Sequence, residues 1–114
     1  MIRALRPGDE PAIEAYLAPR AASSMFLRSN LRAGGIVDHG EAFQGAWFGA
    51  FDEGSRLTGV VCHAWSGMIL MESAVELCEL VDAAIASSGR TVDALAGPWE
   101  QVVDARAHLG LSDR

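Results

Sequence analysis

Few side chains in this sequence have chemistry to offer. Arg28 and Arg32 stand four apart in a stretch of helical periodicity, with Asn30 between them. That spacing puts both guanidinium groups on one helix face, where they could hold an anionic group. His63 and Trp65 stand two apart in a stretch that reads as a strand, so their side chains share a face. If that face lines a cleft, His63 is a candidate general base and Trp65 a stacking wall. Each pair has a plainer reading: a solvated helix face for the arginines, and a buried core or interface pair for His63 and Trp65. Cys62 and His63 cannot form a nucleophile–base dyad, because neighbours on a strand point to opposite faces. Cys62 and Cys78 match no CxxC or zinc spacing and read as buried thiols. His39, with Asp38 and Glu41, falls in a polar loop without metal-ligand spacing, so no metal site is expected. His108, four after Asp104, reads as a helix-surface pair. No catalytic residue is assigned.

Composition narrows the setting. The chain has 114 residues, half of them hydrophobic, which fits one globular domain over residues 1–114. Nine basic residues, all Arg, against fifteen acidic ones give a net charge of -6. That balance argues against a nucleic-acid partner, which wants clustered positive charge. No run approaches the ~20 apolar residues of a membrane span, and the first residues lack a signal-peptide core. A cytoplasmic protein with no membrane partner is expected.

The elements that must position these residues follow from periodicity and punctuation. Residues 2–6 read as a short strand ended by Pro7-Gly8. Asp9, Glu10 and Pro11 open a helix whose stripe is Ile13, Tyr16 and Leu17. Ser23-Ser24 caps a second helix, which ends at Gly34-Gly35. Three strands follow, over 46–51, 56–65 and 68–71; the last lacks polar alternation and must be covered on both faces. Alternation puts Phe48 on one face and Trp47 with Phe51 on the other. Ser73 to Glu76 fits the S-x-x-E capping box of a third helix. A fifth strand over 91–96 and a last helix opened by Gly97-Pro98 complete the order β-α-α-β-β-β-α-β-α. The fold class is α+β: a mixed, mostly antiparallel sheet of about five strands with helices packed on it.

Spaced blocks in this order resemble a known family. They are the stretch from Ser23-Ser24-Met25-Phe26 through Arg28-Ser29-Asn30-Leu31-Arg32, then Phe43-Gln44-Gly45, residues 59–67, and Gly89-Arg90-Thr91-Val92. Gly97-Pro98-Trp99-Glu100-Gln101-Val102 with Leu109-Gly110-Leu111 completes the set. Together they look like the N-terminal half of bacterial tandem proteins of the GNAT superfamily of N-acetyltransferases.

The resemblance implies a GNAT-like sheet lacking its last two strands, within a longer protein. It implies a parent that transfers an acetyl group from acetyl-CoA to an amine acceptor, with the cofactor held by the C-terminal half. Arg28, Asn30, Arg32, His63 and Trp65 are then candidates for the acceptor cleft. The family's pyrophosphate loop is Q/R-x-x-G-x-G/A, which supplies free amides at a helix N-terminus and glycines for close approach. Here the corresponding stretch runs from Met71-Glu72-Ser73 to Ala74-Val75-Glu76 and contains no glycine. No cofactor is therefore expected on this segment. The alternative function is a non-catalytic GNAT-like module for dimerisation or interdomain packing, its partner being its own C-terminal GNAT domain or a second copy. Residues 91–96 form an edge strand that must be paired, covered or blunted, so an interface is expected there.

Overall fold

A strand apolar on both faces must be covered on both sides, and three such strands dominate the chain. The computed structural model, which describes residues 1–111, pairs them as an antiparallel meander. They are β2 (Gly45–Phe51), β3 (Leu57–Ala64) and β4 (Met68–Ser73). β1 (Ile2–Ala4) adds antiparallel to β2, and β5 (Ala94–Ala96) adds parallel to β4. The result is a five-strand mixed sheet in the order β1-β2-β3-β4-β5. α1 (Glu10–Leu17) and α2 (Ala21–Gly34), joined by a 3₁₀ turn at Ala18–Arg20, cover one face. α3 (Leu77–Ser88) and α4 (Trp99–Leu109) cover the other. The expected α+β class and element order are observed.

The two cores sort the strand residues by parity. Trp47, Val60, Cys62, Ala64 and Leu70 pack toward α1 and α2, with Phe51 against them. Ala50, Val61, Ile69 and Met71 pack toward α3 and α4, with Phe48 against them. Leu57 would fall on the wrong face by simple alternation. The register shift opposite Ala50 and Phe51 leaves Thr58 unmatched and turns Leu57 back into the first core.

Several element ends differ from expectation, each for a local reason. β3 stops at Ala64 rather than Trp65, because Gly67, at φ 89, closes a tight turn by donating to the Ala64 carbonyl. β5 spans three residues instead of six; Thr91 lies off the sheet, where its carbonyl meets His63. The capping box does not form. Ser73 ends β4 and donates to the Val75 carbonyl at 2.5 Å, and α3 starts behind Glu76, held left-handed at φ 51. Ser24 does not cap α2 either: its hydroxyl points back to the carbonyls of Leu17 and Arg20.

Candidate functional site

Two of the five expected cleft residues, Arg28 and Arg32, share one partner, Glu14 of α1. Arg28 Nε meets Glu14 Oε2 at 3.1 Å, and Arg32 also pairs with the Glu14 carboxylate. The hydrogen bond from Arg28, aided by Arg32, holds the Glu14 carboxyl below the usual range despite some desolvation. The i, i+4 arginines therefore clamp α2 to α1 by sharing the one Glu14 carboxylate.

His63 is fully buried, and both ring nitrogens have partners. Nε2 lies 2.9 Å from the Thr91 carbonyl, which can only accept, so Nε2 carries the proton. Nδ1, 2.6 Å from Ser88 Oγ, then accepts a hydrogen bond from the Ser88 hydroxyl. The carbonyl of His63 accepts from Arg90 at 3.2 Å, and Arg90 pairs with Asp38 at 2.6 Å. The Arg90 hydrogen bond holds the Asp38 carboxyl below its usual range. This network ties β3, the end of α3, the approach to β5 and the loop before β2 together. His63 has no nitrogen left for a substrate, which corrects its reading as a general base. It also shares no cleft with Trp65, since the turn after Ala64 swings Trp65 to the α2 side of the sheet.

Cys62 lies on the opposite face from His63, as the alternation required, and burial pushes its thiol far above the usual range. A thiol so placed is inert. His108 pairs with Asp82 of α3 at 2.9 Å rather than with Asp104, bracing the two helices on that face. Among the described residues no group of three or more His, Cys, Asp or Glu converges on a metal position, and no helix is long and apolar enough to cross a membrane.

The two remaining candidates do come together. Asn30 and Trp65 line a cavity of about 350 Å³ with Phe26, Phe43, Met68 and Leu70. A second cavity, about 390 Å³, opens where β4 and β5 part company. Their register holds as far as Leu70 and Ala96. Beyond it β4 runs on to Ser73 while the segment after β5 leaves the sheet at Gly97-Pro98 for α4. A Cβ on Gly97 would stand 2.6 Å from the Met71 carbonyl oxygen, so glycine permits this departure. Gln101 of α4 accepts from the Ser73 amide at 2.8 Å and fixes the far side of the split. Met25, Phe26 and Trp99 form the rim, and Trp99 is 70% exposed. Ser23, also lining this cavity, donates to the buried Glu72 carboxylate at 2.5 Å.

No family model, curated protein or solved structure gives a significant match.

The turn from β4 into α3 is where the GNAT resemblance would place the cofactor's pyrophosphate. It lacks glycine, and Glu76 and Glu79 bring acid to the helix start. Its amides are not taken by a side-chain cap, contrary to expectation. The charge and the missing close approach still oppose a pyrophosphate, and these residues do not fit one.

Sequence reasoning missed the partners that decide each role: Glu14 for the arginines, and Ser88, Thr91 and Arg90 for His63. One signal was present. Asn30 falls on the stripe of Phe26, Leu27, Leu31 and Gly34, a polar residue at an apolar position of α2.

Proposed function

We propose that this chain is the N-terminal, GNAT-like half of an acetyl-CoA-dependent N-acetyltransferase, and that it serves there as a non-catalytic packing domain. The acetyl-CoA and the chemistry on the amine acceptor belong to a C-terminal GNAT half. The observation that carries the reading is the end of the sheet. Parallel β4 and β5 diverge over an apolar cleft with an exposed Met25, Phe26 and Trp99 rim. The outer edge of β5 has no strand partner among the described residues. An open edge beside exposed aromatic surface favours packing against further protein. The non-catalytic role is supported by the engaged states of His63, Arg28 and Arg32, and by the turn into α3.

The test has two arms. The longest native reading frame is assayed for acetyl-CoA consumption against an amine panel, and this chain alone is titrated with CoA by calorimetry. Consumption by the frame with no CoA binding to the chain is expected. Micromolar CoA binding to the chain would overturn the non-catalytic role, and a frame inactive against every amine would overturn the acetyltransferase assignment.

A further inference from the structure

Asn30 is 7% exposed, yet its carboxamide has no hydrogen-bond partner among the described residues. Among the described residues only Trp47 Nε1 is sealed from solvent without a partner, so the Asn30 carboxamide keeps access to the cavity it lines. The cavity is the 350 Å³ space at the hairpin end of β4. Its size lies at the low end of the ~300–1,000 Å³ typical of small-molecule sites. Phe43 and Trp65 meet there with ring centroids 4.9 Å apart and planes tilted by 55°, making a two-sided aromatic wall. Met68 and Leu70 line it from the sheet and Phe26 from α2. The other polar side chains are engaged: Ser29 donates to the Phe26 carbonyl at 3.3 Å, and Ser66 accepts from the Met68 amide at 3.4 Å.

A second, independent observation comes from the loop that carries Phe43. Phe43 sits at φ 68, a left-handed conformation that costs an aromatic residue energy. The surroundings enforce it. The Gln44 side chain accepts from the amides of His39 and Glu41, at 2.9 and 3.2 Å, and donates to the Gly34 carbonyl at 3.2 Å. Gly34 lets the loop approach, because a Cβ there would stand 2.4 Å from the Phe43 carbonyl oxygen. Strain held by a surrounding scaffold in this way is characteristic of ligand clamps.

We propose that this cavity binds a neutral planar heterocycle with adjacent hydrogen-bond donor and acceptor on one edge, of the nucleobase or lactam kind. The carboxamide of Asn30 offers a donor and an acceptor side by side, so it pairs with such an edge through two hydrogen bonds, as asparagine does with adenine. The ring stacks on Trp65, with Phe43 closing its side. No described residue lining the cavity is ionisable, so a charged ligand would lose its hydration without compensation. The proposal is independent of the acetyltransferase reading: it uses the hairpin end of β4, not the split between β4 and β5.

The test is an NMR titration of the whole chain with uracil and with adenine, following the Asn30 side-chain amide and Trp65 indole signals. Benzene serves as a ring without the edge, and orotate as uracil bearing a charge. Saturable shifts of both signals by at least one of the two bases are expected, with weaker binding of benzene and orotate. Asn30→Leu keeps the size and removes both polar atoms; it should weaken binding of the base by roughly tenfold or more while benzene binds as before. Trp65→Leu, at a partly exposed position, should weaken base and benzene alike. Well-dispersed spectra of both variants control for folding. The proposal is overturned if neither base shifts these signals, if benzene or orotate binds as tightly as the bases, or if Asn30→Leu leaves base binding unchanged.

Discussion

His63 and Asn30 are both buried polar residues, one on each side of the same sheet, and they differ in one respect. His63 has a partner at each ring nitrogen, whereas the carboxamide of Asn30 has none among the described residues. The sequence marks both as candidates, and only the partners separate them. A satisfied buried group specifies and holds the fold. One that is unpaired within the protein and opens to a cavity of aromatic side chains is available to a ligand. The arginines show the same dependence on partners: Arg28 and Arg32 look free on a helical wheel, but both bond to the one carboxylate of Glu14 on α1.

The contrast can be broken most forcefully at His63. Replacing it by leucine removes both hydrogen bonds of a fully buried ring, while Ser88 keeps the Ile85 carbonyl and the Arg90 amide as partners. At ~0.5–1.5 kcal/mol for each of the two hydrogen bonds lost, His63→Leu should lower unfolding stability by about 1–3 kcal/mol in urea titration. A loss below about 1 kcal/mol would show that water takes over those partners and that the network is not structural.

The next effect concerns the wall opposite. Alanine in place of a helical glycine ordinarily gains about 1 kcal/mol. At Gly34 the added Cβ meets the Phe43 carbonyl oxygen, so the sign should reverse. Gly34→Ala should cost about 1–3 kcal/mol and displace the Phe43 ring from Trp65, read as a change in the Trp65 indole shift. A stabilised Gly34→Ala would mean that the loop is not pinned.

The smallest effect is a pH dependence on the His63 side. Asp38 has its folded pKa lowered, chiefly by the hydrogen bond from Arg90. Its contribution is therefore fully present above the unfolded value of about 3.9, and is lost as pH falls through the lower folded value. Asp38→Asn should flatten the stability–pH curve below about pH 4, by under about 1 kcal/mol for so accessible a pair. Asp9 and Glu14, also lowered by arginine partners, keep the remaining slope.

Much of the fold was legible in the sequence because strand parity and helix stripes are local signals. The split of Trp47 and Phe51 from Phe48, the double covering of β4 and the opposed faces of Cys62 and His63 all follow from a period of two. What failed needed knowledge of distant groups or of backbone turns. Ser73 and Glu76 had the spacing of a capping box, yet strand pairing with Gly59 carried β4 through Ser73 and left no helix start for it to cap. Trp65 and His63 lost their shared face to one tight turn. His108 turned to Asp82, a partner far along the chain on α3. The candidate site was half legible. Asn30 and Trp65 were both marked, but of the residues that join them Phe26 and Met68 read only as apolar positions of a helix and a strand, and Phe43 stood in a loop.

The most direct measurement sets Asn30→Leu beside His63→Leu in matched urea unfolding. If an unpaired carboxamide faces the cavity, removing it costs the free protein nothing, and Asn30→Leu should leave stability unchanged or raise it by up to about 2 kcal/mol while His63→Leu falls. A loss for Asn30→Leu as large as that for His63→Leu would contradict the account, because Asn30 would then be a satisfied structural residue and the cavity would have no polar group to offer.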